Sequence, residues 1–89
     1  MARVRLDAML REFASRSSVD STAGTVAALF DELETQFPRL RFKLRDETGA
    51  LRKYVRVFVD GEDISRTPGL GASLAHAREV DILHSIAGG

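Results

Sequence analysis

Apolar and polar residues alternate at the start of the chain. Val4 and Leu6 are interleaved with Arg3, Arg5 and Asp7, the period-two mark of a strand with one buried face. Leu10 and Phe13 follow and read as a connecting stretch. Residues 15–21 are rich in serine around a lone Val19 and predict a turn with a short second strand. The period then changes. Val26, Leu29, Phe30, Leu33 and Phe37 fall at i, i+3, i+4, i+7 and i+11, one face of an α-helix. Asp31, Glu32 and Glu34 lie off that stripe. Ser21 or Thr22 is placed to cap the start, with Thr25 as the alternative. Pro38 ends the helix, because the residue before a proline is pushed out of the α region.

Beyond the helix, Leu40, Phe42 and Leu44 alternate with Arg39, Arg41, Lys43 and Arg45, which predicts a short strand or an extended connector. Asp46-Glu47-Thr48-Gly49 reads as a loop. Residues 54–59 form the strongest strand pattern, with Val55, Val57 and Val59 on one face and Tyr54, Arg56 and Phe58 on the other. Asp60-Gly61 is a two-residue hairpin signal, with Glu62-Asp63-Ile64 as the short return strand. Residues 65–78 hold Pro68, Gly69 and Gly71 and read as an irregular connection with one short helical turn. Residues 79–83 form a last strand with Val80 and Ile82 inward. The order is strand, strand, helix, strand, short strand, strand. It predicts an α+β fold in which one main helix packs on one face of a mixed sheet. The natural arrangement is a β-grasp, with the first and last strands as parallel neighbours in the centre.

Composition narrows the function. At 89 residues the chain is one domain, expected as a body over residues 1–85 and a tail over residues 86–89. A domain of this size buries roughly 60–70% of its unfolded surface, which suits a shallow binding face better than an enclosed active site. The 13 basic and 13 acidic residues balance, against nucleic acid as a partner. The local basic run Arg39, Arg41, Lys43, Arg45, Arg52, Lys53 and Arg56 reads as solvated strand and loop faces. With no cysteine, disulfides, thiolate metal sites and cysteine nucleophiles are excluded. The opening residues hold no apolar run of signal-peptide kind, and no stretch approaches the roughly 20 apolar residues that span a bilayer. A soluble, cytoplasmic protein with no membrane partner is the expectation.

Catalytic patterns are missing from the body. His76 and His84 have no zinc-type spacing and read as surface histidines. Ser15, Ser17, Ser18 and Ser73 lie in no nucleophile motif. Asp60, Glu62 and Asp63 surround a hairpin turn, where turn chemistry explains them. Gly69-Leu70-Gly71 is too short for a dinucleotide loop. What remains is Ile86-Ala87-Gly88-Gly89. A terminal di-glycine has a chance frequency of about 0.5%, so the dipeptide alone leaves an incidental tail open. Glycine lacks a Cβ, so such an end can thread a narrow channel and leave its acyl carbon open to a nucleophile.

The stretch from Val55 through Asp60-Gly61 to Ile64, the pair Gly69-Leu70, residues 79–83 and the tail Ile86-Ala87-Gly88-Gly89 together resemble the MoaD/ThiS family of ubiquitin-like sulphur carriers. The layout is most similar to the longer carriers of cysteine biosynthesis and secondary metabolism, with the small subunit of molybdopterin synthase next. The resemblance implies that an adenylyltransferase related to ubiquitin-activating enzymes spends ATP, with magnesium, on the Gly89 carboxylate. Sulphur then displaces AMP, and the Gly89 thiocarboxylate donates it to a biosynthetic enzyme. That enzyme would be cysteine synthase-like, thiazole synthase-like or the large subunit of molybdopterin synthase. The carrier itself would bind no cofactor or metal and supply no catalytic residue. Phe58 and Leu83, on the uncovered sheet face near Ile86, are the candidate partner-docking residues; the alternative packs them on residues 40–44. A modifier joined to lysines through Gly89, and a plain interaction module, are the competing functions. Family tails often carry proline after the position of Leu83; here His84-Ser85 stand instead, which predicts a looser arm.

Overall fold

In a computed structural model, residues 1–84 are described, and residues 85–89 lie outside the described part. The expected boundary between a body and a tail therefore falls outside the described residues, as do Ile86, Ala87, Gly88 and Gly89. The elements are β1 (Ala2–Leu6), α1 (Ala8–Ala14), β2 (Ser18–Ser21), α2 (Val26–Gln36), β3 (Val55–Val59), β4 (Glu62–Asp63) and β5 (Glu79–His84). Short 3-10 turns lie at Pro38–Leu40 and Gly69–Gly71. The sheet runs β2-β1-β5-β3-β4. Its centre is the parallel pair β1 and β5, with Val4 opposite Val80 and Leu6 opposite Ile82. The other pairings are antiparallel. This is the β-grasp order expected from the strand pattern.

The inward set is what the alternation predicted, except that Val59 and Phe37 are only half-buried against the core. Val4, Leu6, Val55, Val57, Val80 and Ile82 are buried from the sheet side, and Val26, Leu29, Phe30 and Leu33 from α2. The α2 cap is Thr25, the alternative among the three candidates. Its Oγ1 accepts the Ala28 N–H at 3.1 Å. Ser21 is buried and instead accepts the Ala23 N–H, closing the turn before the helix. Pro38 stops α2 and opens the first 3-10 turn. At the hairpin, Asp60 and Gly61 both have positive φ, 50° and 88°, the type I′ geometry that matches strand twist. The Asp60 carboxylate also accepts the backbone N–H groups of Arg78 and Glu79, tying the start of β5 to the turn.

Two expectations are corrected. Leu10 and Phe13 lie on α1 rather than in a connector. Asp7 caps that helix by accepting the Leu10 N–H at 3.0 Å, and Ser15 closes it in the left-handed region. Leu10 and Ala14 are its buried positions, four residues apart. One buried pair is too little to print a helical period. Residues 40–44 are likewise neither strand nor extended connector. Leu40 and Leu44 are fully buried, while Phe42 between them is 52% exposed with φ of 65°. Their spacing of four follows a turn, and the interleaved cations are exposed because the loop surface is exposed. Arg45 is the exception. It reaches back to Glu34 at 2.9 Å and Asp31 at 2.8 Å on α2. Burial opposes its charge, but these hydrogen bonds and the two carboxylates outweigh burial and raise the pKa of its guanidinium.

Candidate docking face and tail root

Strand alternation turns a second set of side chains away from the helices. Register places them side by side: Arg3 opposite Glu79 and Arg5 opposite Asp81 across β1 and β5, then Arg56 opposite Leu83 and Phe58 opposite Asp81 across β5 and β3. Most of this open face is paired charge. Arg5 forks onto Asp81 at 2.7 and 3.3 Å and lies 3.6 Å from Glu79. That hydrogen-bonded pairing to Asp81 first, and the charges of Asp81 and Glu79 next, raise the Arg5 pKa. Arg3 pairs with Asp20 at 3.6 Å and Arg56 with Asp63 at 3.4 Å.

Phe58 and Leu83 are diagonal neighbours in this field of charge. Leu83 is 39% exposed and Phe58 is half-buried. Neither belongs to the core cluster that holds Leu40 and Leu44, so the packing alternative for this pair is not the one adopted. Among the described residues, no group of three or more His, Asp or Glu side chains is gathered as a metal site would require. Among the same described residues, no helix is long and apolar enough to cross a membrane.

The strand that leads to the tail is anchored at its last described residue. His84 sits opposite Val55 on β3, and its backbone N–H donates to Asp7 Oδ2. The other Asp7 oxygen holds the start of α1, and the Asp7 N–H donates to the Ile82 carbonyl at 3.2 Å. One carboxylate therefore joins the start of α1 to the last described residue of β5. His84 is half-buried with its ring against Tyr54, centroids 4.6 Å apart. Its Nδ1 is buried without a hydrogen-bond partner among the described residues. His76 is exposed, as a surface histidine should be; His84 is not. An open cavity of ≈ 350 Å³ lies beside this root, lined by Asp7, Ala8, Arg11 and Leu83 among others.

The sequence model of the ThiS family matches residues 4–89. The chain belongs to the ThiS family. Sulfur carrier protein CysO of Mycobacterium tuberculosis is 30% identical over 76 residues, which cover 83% of this chain and 82% of that protein. CysO in the crystal structure of the Amycolatopsis orientalis BexX/CysO complex superposes with a TM-score of 0.86 at 27% identity, over 100% of both chains. The small archaeal modifier protein 1 of Haloferax volcanii superposes with a TM-score of 0.78 at 26% identity, over 99% of this chain and 98% of that one. This ThiS-family chain is thus a ubiquitin-like β-grasp protein of a sulphur-carrier family.

The His84 departure from ThiS-family tails has a structural counterpart. A proline there has no N–H to give, whereas His84 donates to Asp7. The arm expected to be looser lies outside the described residues. Asp7 escaped the sequence reading because it also fits the outward polar position of β1. The signal that could have found it is the cap alone, an aspartate three residues ahead of an apolar Leu10.

Proposed function

We propose that this chain carries sulphur as a thiocarboxylate on Gly89. In the first step a carboxylate oxygen of Gly89 attacks the α-phosphorus of ATP, held with magnesium by an adenylyltransferase, and pyrophosphate leaves. In the second step a sulphide-level nucleophile attacks the acyl carbon. A C–S bond forms, the C–O bond to AMP breaks, and AMP departs. The thiocarboxylate then supplies a biosynthetic enzyme of cysteine, secondary-metabolite, molybdopterin or thiamine formation. The carrier's own contribution is a reactive end and a docking face centred on Phe58 and Leu83. The observation that carries this reading is the family match extending to Gly89, supported by the likeness to CysO in complex with BexX.

Intact-mass spectrometry after incubation with the adenylyltransferase, ATP and a sulphide source tests it. The expected product is heavier by the exchange of one oxygen for sulphur, located on Gly89 by fragmentation. Deletion of Gly88-Gly89 should abolish the gain, and Leu83→Asp should raise the carrier's KM. No gain, or a gain elsewhere on the chain, sinks the reading. The likeness to small archaeal modifier protein 1 favours a second reading, attachment to lysines through Gly89. Lysine-linked adducts of this chain in cell extract, without thiocarboxylate, would select that one.

A further inference from the structure

The basic run noted in the sequence does not form one face. Arg45 is neutralised on α2, and Arg39 and Lys43 lie over the Phe13 ring at 5.5 and 4.8 Å. Arg41 lies over the Phe42 ring at 5.5 Å. The remaining three gather elsewhere, with a cation that the run did not include. Arg52, Lys53, Arg56 and Arg66 line one groove of ≈ 470 Å³, floored by Leu51 and Val55. Among the described residues that line it, none is acidic. Asp63 pairs with Arg56 at 3.4 Å. A chain of zero net charge thus concentrates four of its 13 basic residues in one shallow groove.

The position of the groove is informative. Val55 and Arg56, two of its lining residues, are the ladder partners of His84 and Leu83. The groove therefore lies one strand away from the tail root and continues from the exposed Leu83. Any protein that takes the tail into its active site must come close to it. Four cations, of which Arg56 alone is ion-paired among the described residues, lie beside an obligatory contact; such an excess speeds the encounter with a negative surface and orients it.

We propose that this groove docks an acidic, glutamate- or aspartate-rich segment of the enzyme that receives the tail; the identity of that partner as a tail-receiving enzyme rests on the function proposed above. Carboxylates reach Arg52, Lys53, Arg56 and Arg66, and the methylenes of glutamate pack on Leu51. A nucleic acid fits less well. The groove is short, and on the adjoining open face Arg5 is already paired with Asp81 and Glu79, so a longer phosphate chain would find no further row of cations along the sheet.

Two-dimensional NMR titration with hexaglutamate tests this, with a thymidine hexanucleotide as the polyanion control. Saturable amide shifts are expected over residues 51–56 and 65–66, weakening as salt rises. Lys53→Glu combined with Arg66→Glu, two exposed positions, should keep the wild-type spectrum and lower peptide affinity about tenfold. With the adenylyltransferase, the same variant should raise the carrier's KM and leave kcat unchanged. Equal peptide binding by the double variant, an absence of saturable shifts, or tighter binding of the hexanucleotide overturns the proposal. A wild-type chain that binds the peptide in this groove but gains no sulphur overturns sulphur carriage instead, so the two failures are distinguishable.

Discussion

Asp7 does more than its place in the sequence suggests. It follows a clean run of strand alternation and passes there for one more outward polar residue. In the fold its two carboxylate oxygens take different tasks, one at the start of α1 and one on the His84 amide. The second task joins residues 77 positions apart, and no local pattern reports a partner at that distance. Asp7→Ala removes a helix cap and leaves the His84 N–H without its acceptor. The expected loss is about 1–2 kcal/mol of stability, read by chemical denaturation. Hydrogen exchange at the His84 amide should accelerate beyond what the global loss accounts for. Asp7→Asn keeps an acceptor oxygen and should lose less. Exchange at His84 that tracks global stability in both variants would argue that the link from Asp7 to β5 is dispensable.

At the level of elements, legibility followed the number of buried positions. Helix α2 buries Val26, Leu29, Phe30 and Leu33, and its period is plain in the sequence. Helix α1 buries Leu10 and Ala14 only, and its period is lost. The strands β3 and β5 were read within a residue of their bounds, because alternation sustained over five or six residues is hard to mimic. Residues 40–44 did mimic it. There the pattern of apolar and basic residues came from a loop whose Leu40 and Leu44 turn inward around an exposed Phe42. The same distinction orders two substitutions on α2. Phe30 is fully buried, so Phe30→Ala should cost about 3–5 kcal/mol. Thr25→Ala removes only the cap and should cost about 1 kcal/mol. Urea unfolding of both would check the order, and a cap variant as damaging as the core variant would mean that Thr25 holds more than its helix. Its bridge to Ser73, outside the strands, is the place to look in that case.

For the whole molecule, the sheet order followed from the strand pattern because a single helix can cover only one face of a small mixed sheet. The charge arrangement did not follow, since pairing depends on register between distant strands. That arrangement has a consequence in acid. Asp46 is held below the ordinary carboxylate range, first by the Thr48 hydroxyl and then by backbone N–H groups of Thr48 and Ala50 and the charge of Arg52. Asp63 is lowered by hydrogen bonding to Ser65 and by the charges of Arg56 and Arg66. A carboxylate with a depressed pKa in the fold takes up its proton first in the unfolded chain. Its stabilisation is therefore full above the unfolded pKa and is lost as pH falls through the lower, folded value. The arginine pairs do not offset this, because their guanidinium groups stay charged throughout. The Tm should hold level from pH 7 to about 5 and fall below about pH 4. Asp46→Asn should start lower at pH 7, fall less on acidification and approach the wild-type curve at the acid end. Thermal unfolding followed by circular dichroism across this range decides the matter. Curves that run parallel down to the lowest pH would show that the Asp46 loop does not couple its ionisation to folding.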